Sequence, residues 1–438
     1  MANDLKKASV PAYMVFAQSL SSIAPLSSTA ALLTIVMSQS LASAPLATII
    51  GVVIYGLWVA IGYSYSKAVA SYGGTYEFAR RSAGEGVARA VGWSYWLSYT
   101  IYLSAISSYL AGAVLPMLIP APRWAIALIA LGVPAVVTGL VITGTTAPLT
   151  VTMFTSVAEV AMITYVGVDV LSRVGLRPLT LSVSTSELLA GSVAAAFTMA
   201  GGGASFFMGY EARNGARDVS KSFLAAFLVG ASVIAFASYY EVAAVGLTNS
   251  GVSSLLEITR FPGLWVAERF AGEWATYLYL ALTLSSLVGT LTAASMAVQR
   301  LTHALTGVRL RGSALISLAA VLAVNSLGIV MGPLNVYFYS VLVSLAALFI
   351  SHSIISSLYV SFSRRQLGSV GPGRVALAAG GVVVMMMGLY FEVLSLGAQA
   401  AAVGLAPTLL ALIAGGASGR VARALHRRSP PAQAPLSS

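Results

Sequence analysis

No cysteine occurs anywhere in the 438 residues, which excludes disulfide staples, thiolate chemistry and cysteine-held metals. Charge is almost as scarce: Asp, Glu, Lys and Arg make up 8% of the chain, against about 25% in a soluble domain. A water-facing globule of this size could not be covered by so little charge. Histidine is limited to His303, His352 and His426, scattered without the spacing of a metal site. No paired carboxylates fall within one apolar run. No Gly-x-x-x-x-Gly-Lys-Ser/Thr sequence is present, so no phosphate-cradling loop for ATP is encoded. With neither a catalytic cluster nor a nucleotide or metal motif, the chain reads as a non-enzyme that needs no cofactor. The net charge of +11 would suggest a polyanionic partner in a soluble protein. Here the basic residues lie between apolar runs, so the expected partner is a lipid bilayer and not nucleic acid.

What is abundant is apolar sequence, with 58% hydrophobic residues and a mean hydropathy of +0.87. The runs are continuous over about 20 residues, the length of a membrane-spanning helix. Barrel strands would instead alternate over roughly 10 residues. The chain therefore reads as an all-α polytopic membrane protein with twelve spans, at 10–39, 45–70, 88–116, 123–143, 147–172, 188–210, 222–247, 274–299, 313–331, 333–360, 374–394 and 398–419. With the N-terminus inside, only Arg123, Arg173, Arg177, Arg260 and Arg269 fall outside, and every other Lys and Arg falls inside. The positive-inside rule then puts both termini in the cytoplasm, in a multi-pass protein of the cytoplasmic membrane. The run behind Lys6 and Lys7 is too long for a signal peptide's apolar core, so no cleavable leader is expected. The cytoplasmic N-terminus covers 1–9. The basic tail at 420–438 is expected against anionic headgroups through Arg420, Arg423, Arg427 and Arg428, and its Pro/Ser-rich end, Ser429 to Ser438, reads as disordered.

Two spans break in the middle. The first carries Ser21-Ser22-Ile23-Ala24-Pro25-Leu26-Ser27-Ser28-Thr29, and the sixth carries Gly201-Gly202-Gly203. Backbone freed at bilayer depth survives only when buried in protein or facing a watery cavity, and a matched pair of broken helices marks the binding site of many secondary transporters. A proline kink alone would account for Pro25, and helix packing for one glycine, but three consecutive glycines exceed what packing needs. Pro25 has no N–H and frees carbonyls near Ser22, Ile23 and Ala24, which suit an ammonium group or Na⁺. The N–H groups near Ser27, Ser28 and Thr29 lie at the positive end of a half-helix and suit a carboxylate. The carbonyls near Thr198, Met199 and Ala200, freed by Gly201, Gly202 and Gly203, could receive a substrate ammonium. Breaks five spans apart predict two five-helix repeats, 10–172 and 188–360, in inverted orientation, with 374–419 appended.

Three local motifs strengthen this. They are Gly73-Gly74-Thr75-Tyr76-Glu77-Phe78-Ala79-Arg80-Arg81 followed by Gly92-Trp93 and Trp96; Glu211-Ala212-Arg213-Asn214-Gly215-Ala216-Arg217-Asp218-Val219-Ser220-Lys221; and Arg300-Leu301-Thr302-His303-Ala304-Leu305. In their order relative to the spans they resemble the amino acid–polyamine–organocation permease superfamily over roughly 10–360. The chain departs from that pattern at Ser64, Ala70, Gly215 and Ser220, and at Gly203, where the family often carries Glu, so the site is less acidic. The resemblance implies the inverted five-plus-five, leucine-transporter-like fold. It also implies secondary transport of an amino acid or small organic amine, with spans 1, 2, 6 and 7 rocking against the rest. Phe197 falls at the family's aromatic gate position.

Three further features complete the candidate site. Span 3 aligns Tyr95, Tyr99, Tyr102, Ile106 and Tyr109 on one face, with Tyr102 near mid-span as the expected cavity residue. Glu159 is the carboxylate in the middle of span 5, where an ionisable group is costly and functional by default, so it is the expected proton carrier. The resemblance places it near a sodium-like site, to which Ser285 and Ser286 of span 8 could contribute hydroxyls. Proton symport is the reading taken, with Na⁺ symport and exchange as alternatives. Glu241 and Glu392, near span ends, are expected to be wetted. The charged loop from Glu211 to Lys221 is expected to form an ionic network or inner latch.

Overall fold

A computed structural model describes residues 5–428, with side chains through residue 419. The first four residues, the segment from Ser429 to Ser438, and the side chains of Arg420, Arg423, Arg427 and Arg428 lie outside the described residues, and with them the expected disordered tail and headgroup contacts. Among the described residues the chain is helical, and the one extended pairing is an isolated parallel bridge between Val10 and Ala212.

The chain begins with α1 (Ala12–Ile23), a short turn (Pro25–Ser27), a π-helical stretch (Ser28–Leu32), α2 (Leu33–Ser40) and α3 (Ala44–Ala68). Next come α4 (Thr75–Ala83), α5 (Glu85–Tyr109), α6 (Arg123–Ile142), α7 (Thr146–Val174) and α8 (Thr185–Thr198). A 3₁₀ stretch (Gly202–Met208) leads to α9 (Ala216–Ala243) and to the short helices α10 (Asn249–Ile258) and α11 (Pro262–Ala271). Then follow α12 (Glu273–Thr306), α13 (Leu310–Ser326), α14 (Pro333–Gln366), α15 (Pro372–Glu392) and α16 (Ala398–Arg428).

Eleven segments among the described residues are long and apolar enough to cross a membrane. The first, Ala12–Ala68, has 57 residues. As one straight helix it would measure about 85 Å, more than twice a hydrocarbon core of about 30 Å. Leu41, with φ 45°, ends α2, so this one stretch has the length of two crossings. Large apolar side chains such as Val136, Phe154, Val330 and Leu410 stand exposed on helix surfaces. Water would penalise such patches, whereas lipid does not. This is a multi-pass helical membrane protein.

Local sequence explains the helix starts. Ser184 and Glu187 form a reciprocal capping box that opens α8 at Thr185, satisfying N–H groups with no intrahelical partner. The Gly-Gly at 73–74 makes the turn that precedes α4. At Gly74, φ is +52° and an added Cβ would lie 2.4 Å from the Phe207 ring, so only glycine lets that turn close against the end of the second broken helix. The stretch between spans 7 and 8 holds α10 and α11. Thr34 and Ala42 of the first segment hydrogen-bond Arg260 and Asn249 beside them.

Many hydroxyls in the core bond to their own helix. Thr48, Ser82 and Thr283 donate to carbonyls four residues back, so serine and threonine can be buried among apolar side chains without orphaned donors.

Candidate functional site at the paired helix breaks

The first break is one residue wide. Ala24 takes the left-handed conformation (φ 53°, ψ 67°), and its N–H still closes onto Leu20. Pro25 then opens the next turn, the one helical position where a missing N–H costs nothing. The break therefore sits just ahead of the proline that marks it in the sequence. The second break follows α8. Gly201, at φ 114°, lies between Thr198 and the 3₁₀ stretch, and a Cβ on it would stand 2.2 Å from the Ser22 carbonyl oxygen. The two interruptions touch through main chain. Ser19 reinforces the crossing by donating 2.6 Å to the Gly202 carbonyl and bonding the Ser205 hydroxyl.

The half-helix after the first break points its N–H groups at specific oxygens. Leu26 N–H donates to Glu159 Oε2 at 3.3 Å, and Ser27 N–H to Ser286 Oγ at 3.4 Å. Ser286 Oγ also donates to Glu159 at 2.8 Å. Ser28 N–H returns to the Ala24 carbonyl and its hydroxyl to Ile23, while the Thr29 hydroxyl donates to Leu26. On the other side of α1, Thr290 Oγ1 donates to the Ser21 carbonyl, and the Ser21 hydroxyl bonds Thr152 and Ser156. Glu159, 1% exposed, thus joins α7, the first break and α12 at the positive end of a half-helix, where a carboxylate is stabilised. Ser285 is half-buried and has no hydrogen bond to Glu159 among the described residues.

A cavity of about 190 Å³ opens against both breaks. Of the residues singled out in the sequence, Ile23, Ala24, Ser27, Ser28, Tyr102, Phe197, Thr198, Ala200, Gly201 and Gly203 line it. Ser22, Pro25, Thr29, Met199 and Gly202 are buried but outside its wall, as are Glu159 and Ser286. The rest of the wall mixes small and aliphatic side chains with a set of rings: Tyr55, Trp58, Tyr95, Tyr99, Tyr109 and Tyr337, with His352. One face of α14 follows it from Tyr337 to His352, about 22 Å at 1.5 Å per residue. Tyr55 and Trp58 come from span 2 and His352 from α14. Their signal in the sequence was a polar or aromatic side chain inside an apolar run, diluted by the many others in this chain.

Away from the cavity wall, the N-terminal segment pairs with the loop after the second break: Val10 donates to Glu211, Arg213 donates to Val10, and Ala8 donates to Tyr210, all through main chain. Beneath this strap Arg300 meets Glu211 at 2.6 Å, both side chains almost fully buried, and Thr145 bonds each of them. The charged loop is therefore split. Glu211 enters a buried ion pair with α12, Asp218 caps Asn214, and Arg213, Arg217 and Lys221 face outward. Within α4, Glu77 accepts from both Arg80 and Arg81. Burial opposes its ionisation, and these charged hydrogen bonds overcome that, holding its carboxyl below the usual range.

Glu241 corrects an expectation. It is not wetted: it is fully buried, neither carboxylate oxygen has a partner among the described residues, and Oε1 lies against Gly263 of α11. The helix pair α10–α11 and its approach cover it. Glu392 is partly exposed and lies in the cavity wall. No family model matches this chain, and no curated protein matches it.

Proposed function

We propose that this chain is a secondary active transporter of amino acids or related small organic amines, working by alternating access in the cytoplasmic membrane. The observation that carries the reading is the contact of two helix breaks, Gly201 against the Ser22 carbonyl, at the wall of a cavity. Interrupted backbone in a helical membrane protein is tolerated where it is buried in protein or lines a watery cavity, and paired breaks of this kind mark transporter binding sites. On this reading the Ala12–Ala68 stretch counts as two spans. The total is then twelve, arranged as two inverted five-helix repeats with two appended, and both termini are cytoplasmic. The motifs around Gly73, Glu211 and Arg300 support membership of the amino acid–polyamine–organocation superfamily.

Coupling is to H⁺ through Glu159. Its carboxylate accepts from Leu26 N–H and Ser286, so a proton arriving there weakens its hold on the half-helix that carries Ser27 and Ser28 into the cavity. Protonation and cargo binding thereby act on the same short segment. The buried Arg300–Glu211 pair under the Val10 strap is the closed gate, and transport requires it to part.

The test is uptake of a radiolabelled amino acid mixture into proteoliposomes, with a pH gradient and a Na⁺ gradient imposed separately. Uptake driven by the pH gradient, and lost in Glu159→Gln with cargo binding retained, is the expected result. Uptake driven by Na⁺ alone, or pH dependence unchanged in Glu159→Gln, overturns the coupling assignment. Exchange only into preloaded vesicles would make the protein an antiporter, and silence in all three formats would refute amino acid cargo.

A further inference from the structure

His352 is part of the cavity wall. It is 4% exposed, and neither Nδ1 nor Nε2 has a hydrogen-bond partner among the described residues. Trp58 stacks on the ring at 3.8 Å with an interplanar angle of 21°, and the Tyr95 ring stands 5.5 Å away. The stack occupies a face of the imidazole, so the ring's edge, where both nitrogens lie, is what remains for a ligand. An imidazole presents at least one N–H in either protonation state, and its neutral form adds one acceptor. Burying such groups unanswered is costly, and this residue lines the cavity wall.

The path from the breaks to His352 is short and aromatic. A Cβ on Gly203 would lie 3.6 Å from the Tyr95 hydroxyl, and the Tyr95 ring is the next neighbour of His352. Tyr55 and Phe197 meet edge to face at 6.1 Å across the same stretch, and Tyr95 stacks on Tyr99 at 4.7 Å. Ring faces and edges of this kind favour a flat apolar body. A molecule whose head is held at the breaks would lay such a body between these rings and bring its far end to His352.

We propose that His352, with Trp58 and Tyr95, forms a distal subsite that selects cargo with a flat, ring-like apolar body ending in a hydroxyl. The subsite rests on the transport reading above and deepens it, naming the cargo's far end while leaving its head as either an amino acid or a simple amine. A hydroxyl both donates and accepts, so it satisfies the neutral ring through one nitrogen or the other. An analogue without it leaves a buried nitrogen unanswered and binds more weakly, by roughly tenfold to a hundredfold.

Two matched pairs test this: tyrosine against phenylalanine, and tyramine against phenethylamine, each radiolabelled and bound to the full-length protein in nanodiscs. In at least one pair the hydroxylated member should bind tenfold or more tightly. His352→Phe keeps a ring on Trp58 and removes both nitrogens, so it should bring the pair within about twofold by weakening the hydroxylated member alone. His352→Gln, which retains a donor and an acceptor, should recover part of the preference and guards against a folding defect in the first variant. Equal binding within both pairs, or a preference that survives His352→Phe, overturns the proposal. Binding of none of the four also overturns it. In that case gradient-driven uptake of other amino acids would leave the transport reading standing, and its absence would remove both.

Discussion

Replacing Gly201 with alanine adds one methyl group at the point where the two broken helices meet. Two costs follow from the geometry. The backbone at φ 114° is a conformation that residues with a Cβ avoid, at about 1–3 kcal/mol. The new Cβ would also stand 2.2 Å from the Ser22 carbonyl oxygen, a main-chain atom that cannot rotate away. Relief requires the breaks to part by about 1 Å, since carbon and oxygen rest above roughly 3.2 Å. A total of about 3 kcal/mol set against the cargo-competent arrangement lowers its affinity roughly a hundredfold. Gly202→Ala is the matched control. Gly202 lies outside the cavity wall, a Cβ on it would meet the Ile23 and Phe223 side chains at 3.4 and 3.5 Å, and its φ is not positive, so side-chain adjustment suffices. Cargo binding and proteoliposome uptake should collapse in Gly201→Ala and survive in Gly202→Ala, with both proteins monodisperse in detergent. Wild-type uptake by Gly201→Ala would refute the assignment of this crossing as the binding centre.

Arg300→Met strands the buried Glu211 carboxylate and should cost about 3–5 kcal/mol. Much of that loss should return in Arg300→Met/Glu211→Leu, read as thermal stability in nanodiscs. Ser19→Ala leaves the Gly202 carbonyl without its 2.6 Å donor and should destabilise by about 1–3 kcal/mol in the same assay, more than an exposed serine such as Ser172. Glu77 has its carboxyl held low by Arg80 and Arg81. Its contribution is therefore present at neutral pH and is lost as pH falls below the ordinary value of 4.5. Glu77→Gln should be less stable than wild type at pH 7, with the gap closing on acidification. A gap that widens in acid would contradict that sign.

The membrane-spanning architecture was legible because it depends on run length, which one sequence displays directly. Span boundaries, the Gly-Gly turn into α4 and the interruptions near Pro25 and Gly201 are all local features that particular residues force. What lay beyond reach were pairings across the fold. Glu211 and Arg300 each stood out, yet nothing local says that residues 89 positions apart share a buried bond. Leu26 is an unremarkable apolar residue, and its N–H becomes informative only once Glu159 is seen to accept from it. Glu241 shows the converse: proximity to a span end suggests water, and only the later helices α10 and α11, folding back, decide that it is dry. His352 carried no spacing signal at all, because its ring neighbours, Trp58 and Tyr95, come from other helices.

The strap at Val10 has a practical consequence for mutagenesis. Its bonds to Glu211 and Arg213 run entirely through main chain, so exchanging the Val10 side chain leaves both in place. A scan of single substitutions will therefore report the burial of the Val10 side chain, which is 2% exposed, and miss the tie itself, which joins the entrance of the first helix to the exit of the second broken one. Proline at position 10, which removes the N–H, is the one replacement there that breaks the Glu211 bond directly. Isoleucine and proline at this position would thus separate packing from mechanical coupling, which a scan to alanine runs together.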